Sequence, residues 1–390
     1  MGKRRGDEIL NIPCQIESKK PRELFSRISG RATWKNHREF GKLCILEEIA
    51  HCDALIQCRK GLQSLCGAGT AHARYPSLLF ERWFCRNQMG NEHGGILPVL
   101  PLVVDRTLVA ELVESGKYSM EEGQRIASSF ADLVTSICHQ EVENLKREGD
   151  KAGLGSKVHV THLAKFVRLN CRGRSVQLIP SVYQHLSQLF MKYARKSLHN
   201  FVNAYIFVLA LRYETIGGPG FQVAVHESKV VGMQNTTSMV IFECFASPFN
   251  IAQLDSPYCS LWPQMEQLFG SRGNFFQMKF KEGIFEANPP FEPEFIASIF
   301  PVIEEALARA KLSLIFVVII PHWKDNAGWQ GFESSKFKQY RVEWKHEETI
   351  WENKTAGLIR HIPVTVSVFL LASAAASVDS LRNLFTTISQ

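Results

Sequence analysis

The sequence has no Cys-x-x-Cys pair, no apolar run long enough to span a bilayer, no internal repeat and no low-complexity tract. Each absence narrows the reading. The longest apolar stretches, Leu312 to Pro321 and Val364 to Ala376, fall well short of the about 20 residues a transmembrane helix needs, and are expected to be buried strands. Met1 to Gly6 is basic, but no apolar segment comes after it, so a secretory leader is not expected. His51, Cys52, Cys58 and Cys66 cluster, yet gaps of five and seven residues between the cysteines miss the ligand spacings of structural zinc sites. They fall in a helical apolar pattern. Buried free thiols are therefore expected, with no metal and no disulfide, in a soluble intracellular protein.

Acid is also missing from one segment. Between Lys151 and Asn200 there are nine Lys or Arg residues and no Asp or Glu, against a net charge of +7 for the whole chain. The positives include Lys157, Lys165, Arg168, Arg172, Arg174, Lys192, Arg195 and Lys196. A solvated face is the plain explanation for such a run, but fifty residues without a compensating acid favour a polyanionic partner.

What is present is an ordinary globular composition, 45% apolar and 21% charged, over 390 residues, a length that suits two domains. The texture changes near residue 180. Upstream, Phe40 to Cys66, Arg106 to Glu114 and Met120 to Leu145 carry apolar residues at three- and four-residue intervals and predict helices. Ile96 to Pro101 is a proline-rich connector and Lys146 to Ser156 a surface loop. Downstream, a long helix is expected over Ser181 to Leu211, then a turn at Gly217 to Gly220. Strands and helices alternate after that. Ser238 to Phe245 is a short apolar run, Asn274 to Phe280 alternates weakly, and Gly283 to Ala287 precedes a helix over Pro293 to Lys311. Leu312 to Ile320 is nearly all β-branched or aromatic, as a strand covered on both faces should be. Tyr340 to Trp344 and Ile362 to Leu371 complete the sheet. This rhythm predicts a doubly wound α/β domain, with ligand loops at the carboxyl ends of its strands.

Two such loops carry residues suited to one chemistry. Asn288-Pro289-Pro290-Phe291 comes directly after a strand. The exocyclic amine of adenine is a poor nucleophile because its lone pair is delocalised into the ring, and two acceptors aimed at its hydrogens favour the sp³ geometry that attack requires. The Asn288 amide oxygen and the Pro289 carbonyl suit this task, since the prolines fix the backbone with little entropy to lose. The Phe291 ring offers a stacking face worth about 1–3 kcal/mol. A lone match of this kind is most often a proline turn. Here a second string, Glu243-Cys244-Phe245-Ala246-Ser247-Pro248, ends another strand some forty residues earlier, in the order of a cofactor strand and then a catalytic loop.

These strings, with Phe269-Gly270-Ser271-Arg272-Gly273 between them, resemble the phosphorylated-CTD-interacting-factor family of cap-specific adenosine N6-methyltransferases. Weaker similarity extends through Ile319 to Trp323 and Ser335 to Lys338, and the whole covers residues 205 to 371. The resemblance implies an α/β fold: a Rossmann-like S-adenosylmethionine-dependent methyltransferase core over 181–390, beside an N-terminal helical, basic, cap- and RNA-binding domain over 1–180. It implies S-adenosyl-L-methionine as donor. The implied substrate is the first transcribed adenosine beside a 7-methylguanosine cap, commonly already 2′-O-methylated, and the expected compartment is the nucleus, with the cytoplasm as the alternative.

Carried over by position, Asn288, Pro289, Pro290 and Phe291 are the expected catalytic residues. Glu243, Cys244, Phe245, Ala246, Ser247, Pro248, Ser271, Arg272 and Gly273 are expected to line the cofactor pocket, although the usual Gly-x-Gly is missing and Ala246 and Ser247 must admit the methionine part instead. Arg82, Arg168, Arg172 and Arg174 are candidate RNA contacts, with Trp83 and Arg86 as further candidates for holding a cap; core packing is the competing reading of Trp83. The pairs Trp323 with Trp344 and Trp329 with Trp351 stand at the spacing of a WW module, but the terminal proline is absent. Core or loop aromatics are expected, no polymerase-tail module, and a monomer. The alternatives are an N6-adenine methyltransferase acting on internal RNA or DNA sites, and a non-catalytic RNA-binding scaffold.

Overall fold

The computed structural model describes residues 44–67, 74–89, 95–98, 100, 102–148, 157–217, 222–254, 256–347, 350–355 and 357–389. Cys14, Lys151, most of the expected loop over 146–156 and most of the glycine turn at 217–220 lie outside the described residues.

The first half is built on helices α1 (Ile45–Leu65), α2 (Arg74–Met89), α3 (Arg106–Glu114) and α4 (Met120–Glu148). Helical periodicity upstream of residue 180 gives no sign of the antiparallel sheet that comes after α4, formed by β1 (His159–His162), β2 (Val167–Cys171) and β3 (Arg174–Leu178). Val167, Leu169 and Cys171 alternate inward along β2 while Arg168 and Asn170 face out. The expected helix over 181–211 is two, α5 (Pro180–Tyr193) and α6 (Val202–Ile216), with a 3₁₀ turn at Lys196–Phe201 between them. Ala194 and Arg195 are extended there. Tertiary packing overrides local propensity: the Tyr193 ring lies so close to Gly270, at φ +104°, that a Cβ on Gly270 would stand 2.7 Å from it. α5 and α6 share one hydrophobic cluster with α1 to α4, reaching on to Trp262 and Phe269. Packing thus carries the helical half past residue 180.

The second half holds β4 (Val223–Val225), α7 (Glu227–Thr237), β5 (Ile241–Glu243), α8 (Pro263–Glu266), β6 (Gly283–Ala287), α9 (Pro293–Arg309), β7 (Leu314–Pro321), α10 (Ala327–Ser334), β8 (Lys338–Trp344), β9 (Trp351–Asn353), β10 (Leu358–Arg360), β11 (Val366–Ala372) and α11 (Val378–Ser389). The expected weak strand over 274–280 is a short 3₁₀ turn at Phe275–Gln277. Five strands form the main sheet in the order β5-β6-β7-β11-β8. β5, β6 and β7 are parallel, and β11 runs antiparallel between β7 and β8. The domain is therefore α/β with a mixed sheet.

Period-two alternation sorts the sheet's side chains between two cores. Ile284, Ile315, Val317, Ile319, Val368 and Leu370 meet α7 and α11 on one face. Phe285, Phe316, Val318, Ile320, Phe369 and Leu371 meet α9 and α10 on the other. A second small sheet, β10-β9-β4, stands beside them. Among the described residues no helix is long and apolar enough to cross a membrane. Every described cysteine carries a free thiol, and all but Cys44 are buried.

The halves are joined through Arg86 on α2. Its guanidinium reaches Asp105 at 3.0 Å, Glu111 at 3.2 Å and, across the boundary, Glu292 at 3.1 Å. Burial works against its charge, but Glu111, Asp105, Glu292 and Glu294 outweigh burial and raise its pKa. Removing one partner from such a cluster leaves uncompensated buried charge. Arg86→Met is expected to lower the urea-unfolding free energy by about 3–5 kcal/mol, with Arg86→Lys losing less; equal stability of the Met variant and wild type would contradict this account.

Candidate active site

The carboxyl ends of the adjacent parallel strands β5 and β6 project the two loops singled out by sequence to the same edge of the sheet. Between them lies a cavity of ≈ 100 Å³, whose wall includes Cys244, Phe245, Ala246 and Ser247 from the first loop and Pro290 from the second. Small-molecule sites usually offer about 300 Å³ or more, so a nucleoside ligand would extend beyond the enclosed part or displace some of its walls. The helical half contributes Cys85 and Gln88 from α2 and Tyr213 from α6.

In the second loop Pro289 is buried, while Asn288, Pro290 and Phe291 are partly exposed. Among the described residues nothing hydrogen-bonds the Asn288 amide, so both its oxygen and its nitrogen are available to a ligand. The Phe291 ring meets Trp351 of β9 edge-on, 5.8 Å between centroids. Glu292 caps α9 at once after the loop, accepting the Phe295 N–H at 2.6 Å, and Arg86 holds its other oxygen. Asn326, which caps α10, donates to the Pro293 carbonyl at 2.9 Å and ties the loop after β7 to the same place.

The first loop is a tight turn. The Ser247 carbonyl accepts the N–H groups of Asn250 and Ile251 at 3.1 and 3.2 Å, and Asn250 Oδ1 accepts the Ser247 N–H at 2.7 Å. Glu243 stands behind the cavity rather than on its wall. It is 6% exposed, and its carboxylate accepts the Ala252 N–H at 3.0 Å. Pro248 likewise is not part of the wall. Ser271, Arg272 and Gly273 act one layer out: Ser260 of the cavity wall donates to Ser271 Oγ at 2.6 Å and through its backbone N–H to the Gly273 carbonyl at 3.0 Å. The Arg272 side chain is exposed.

An aromatic group that motif reading missed completes the cavity. Phe275, Phe276 and Phe295 line it with Phe245, and the Phe245 and Phe275 rings are 4.6 Å apart. Asn250 was missed too, although its place three residues after Ser247 is an ST-turn signal: Ser247 Oγ accepts the Phe249 N–H at 3.2 Å.

The candidate RNA contacts disperse. Arg82 is ion-paired with Glu111 at 3.0 Å. Arg86, a candidate cap contact, is buried in the acidic cluster, and Trp83 is core, packed edge-on against Phe130 at 4.9 Å. Arg168 lies over the Phe166 ring on β2, Arg172 is exposed in the β2–β3 turn, and Arg174 pairs with Asp53 of α1.

Residues 185–353 match the family model described as Phosphorylated CTD interacting factor 1 WW domain. Through this region the chain resembles the phosphorylated-CTD-interacting-factor family. Proteins of Mus musculus and Homo sapiens named "mRNA (2'-O-methyladenosine-N(6)-)-methyltransferase" are each 37% identical to it over 105 residues. The aligned part covers 26% of this chain but 15% of each relative. The expectation of no WW module is corrected at the level of the matched model, whose description names one. In this chain the matched residues run from α5 to β9, with Trp344 on β8, Trp329 on α10 and Trp351 on β9.

Burial raises the Glu243 pKa from its usual 4.5 to about 7, against the Ala252 N–H, the Ser256 hydroxyl and Lys354. The folded chain therefore keeps a proton that the unfolded chain releases between about pH 4.5 and 7. Stability is full below the unfolded value and is lost as pH rises through the folded one. Wild type should lose about 3 kcal/mol more than Glu243→Gln between about pH 4.5 and 8, measured by urea unfolding across that range; parallel pH profiles would exclude this role.

Proposed function

We propose that this chain is an S-adenosylmethionine-dependent N6-methyltransferase with a Rossmann-like core, acting on the cap-adjacent (2′-O-methyl)adenosine of capped mRNA. The observation that carries the reading is the cavity joining the Cys244–Ser247 loop to Pro290, at the carboxyl ends of β5 and β6, beside an Asn288 amide with no protein partner among the described residues. Support for the substrate comes from the names of the mouse and human relatives.

The residues present fit the donor. The cavity wall includes the phenylalanine rings, which suit a purine, and Ser247 and Asn250, which suit a polar head. When bound, S-adenosylmethionine supplies an electrophilic sulfonium methyl. Everything else falls to the chain. The Asn288 oxygen and the Pro289 carbonyl accept the two N6 hydrogens of the target adenine and turn the nitrogen lone pair out of conjugation. Phe291, braced by Trp351, stacks on the base. As the nitrogen–carbon bond forms and the carbon–sulfur bond breaks, one N6 proton leaves to solvent. Preorganised positioning of this kind needs no strong base.

Mass spectrometry of cap nucleotides tests the reading. N6-methyladenosine should form on capped RNA beginning with adenosine, and Asn288→Ala should lower turnover by at least about 100-fold while S-adenosylhomocysteine binding stays within about twofold. Equal rates on capped and uncapped RNA would favour internal sites, and absence of cofactor binding would favour a scaffold. Single-stranded RNA affinity should fall with salt at about −0.7 per phosphate contacted. Arg168→Glu with Arg172→Glu should reduce both affinity and that slope; Arg174 is left in place because Asp53 holds it.

A further inference from the structure

The parallel sheet edge carries a third loop that the proposed chemistry leaves unused. β7 pairs with β6 as far as Val318 opposite Ala287, so Ile319, Ile320 and Pro321 run on about 10 Å past the level at which the Asn288–Phe291 loop begins. The chain then turns through His322, Trp323, Lys324 and Asp325 before Asn326 caps α10. Two contacts fix that turn beside the Asn288–Phe291 loop. Asn326 Nδ2 donates to the Pro293 carbonyl at 2.9 Å, two residues after Phe291. Gly328 packs so tightly on α9 that a Cβ there would stand 2.5 Å from the Ile296 carbonyl oxygen.

The turn presents an aromatic ring and a cation in adjacent positions. Of the described tryptophans only Trp323 escapes burial. Its side chain packs against the core on the α9 and α10 side and stays partly exposed, and its indole has neither a ring partner nor a hydrogen bond among the described residues. Lys324 is exposed, and no acid among the described residues pairs with it. The backbone is held: the Trp323 carbonyl accepts the Asn326 N–H at 2.9 Å, and the Lys324 carbonyl accepts Gln330 Nε2 at 3.0 Å. Groups fixed in advance lose little freedom on binding.

A flat ring beside a free ammonium suits a nucleobase and its phosphate, since stacking tolerates any base and the cation meets the backbone. Position selects the nucleotide. β6 lies between β5 and β7, so along the sheet edge the β5 and β7 loops flank the Asn288–Phe291 loop on opposite sides. With the donor at the β5 loop, the β7 side is left to the strand that carries the target adenine. The cap purine is cationic and meets Lys324 unfavourably; the next transcribed nucleotide is a neutral base with an anionic phosphate.

We propose that the β7 turn is a docking surface for the RNA strand on the 3′ side of the target adenosine, where Trp323 stacks the following base and Lys324 holds its phosphate. The inference rests on the methyltransferase reading of the β5 and β6 loops. It makes the presence of a second transcribed nucleotide, rather than its identity, a determinant of KM.

Methyl-transfer kinetics on two substrates test it: a capped dinucleotide whose single transcribed nucleotide is adenosine, and a capped oligonucleotide beginning with adenosine. Trp323→Ala should raise KM for the oligonucleotide at least about fivefold with kcat within about twofold, and leave the dinucleotide's kinetics unchanged. Trp323→Phe should recover most of the loss. Lys324→Gln should lower the salt slope of oligonucleotide binding by about 0.7. Asp325→Asn should leave KM equal or lower it; a higher KM would overturn the assignment in favour of the cationic cap base. Equal effects of Trp323→Ala on both substrates, no effect on either, or weakened S-adenosylhomocysteine binding would overturn the surface while leaving the enzyme reading intact. Wild type methylating neither substrate would overturn the methyltransferase reading, and this surface with it.

Discussion

The Arg86–Glu292 contact is the constraint on which the rest of the site depends. Glu292 comes directly after Phe291 and caps α9, so its carboxylate fixes where the loop ends and the helix begins. Arg86 belongs to α2, more than two hundred residues earlier in the chain. One guanidinium therefore sets the position of the Asn288–Phe291 loop relative to the helical half, and that half supplies Cys85, Gln88 and Tyr213 to the cavity. Asp105 and Glu111 keep the guanidinium charged and aimed. A site assembled across two cores needs such a fixed point, since packing alone tolerates small sliding motions that hydrogen-bonded charges do not.

The sheet carries the second constraint. Parallel β5, β6 and β7 bring successive loops to one edge, and antiparallel β11, between β7 and β8, adds no carboxyl end there. Hydrophobic residues on both faces commit β6, β7 and β11 to a single register, because a slip of one residue would exchange the two cores. The loops at the edge inherit that rigidity. Glu243 illustrates how close structural and chemical roles lie: placed at the end of β5, it holds the Ala252 N–H from behind, and Ser247 and Asn250, a few residues on, face the cavity.

The charge distribution resolves differently from its appearance in the sequence. The acid-free stretch from Lys151 to Asn200 folds, where described, mostly into the β1–β3 sheet and α5. Arg174 is paired with an acid from α1, while Arg172 remains exposed. Absence of acid along the chain is not absence of acid in space. Arg82 and Arg86 make the same point more sharply, both held by Glu111 of α3.

The Asn-Pro-Pro-Phe loop, the helix after it and the buried strand over Leu314–Pro321 were legible from residues alone, because proline geometry, helical periodicity and runs of β-branched residues act within a few residues of chain. The string around Ser247 was equally local. The break between α5 and α6, the reversed β11, the small β1–β3 sheet and the aromatic wall of the cavity were not. Each depends on what a segment packs against, and that is set by residues far away: Tyr193 under Gly270, Val366 paired with both Pro321 and Trp344. The sequence by itself determined which residues stand at the strand ends. Only the tertiary structure decided which arginine is a partner of Glu292 and which amide closes the turn at Ser247, because partner choice is a property of burial and proximity rather than of order along the chain.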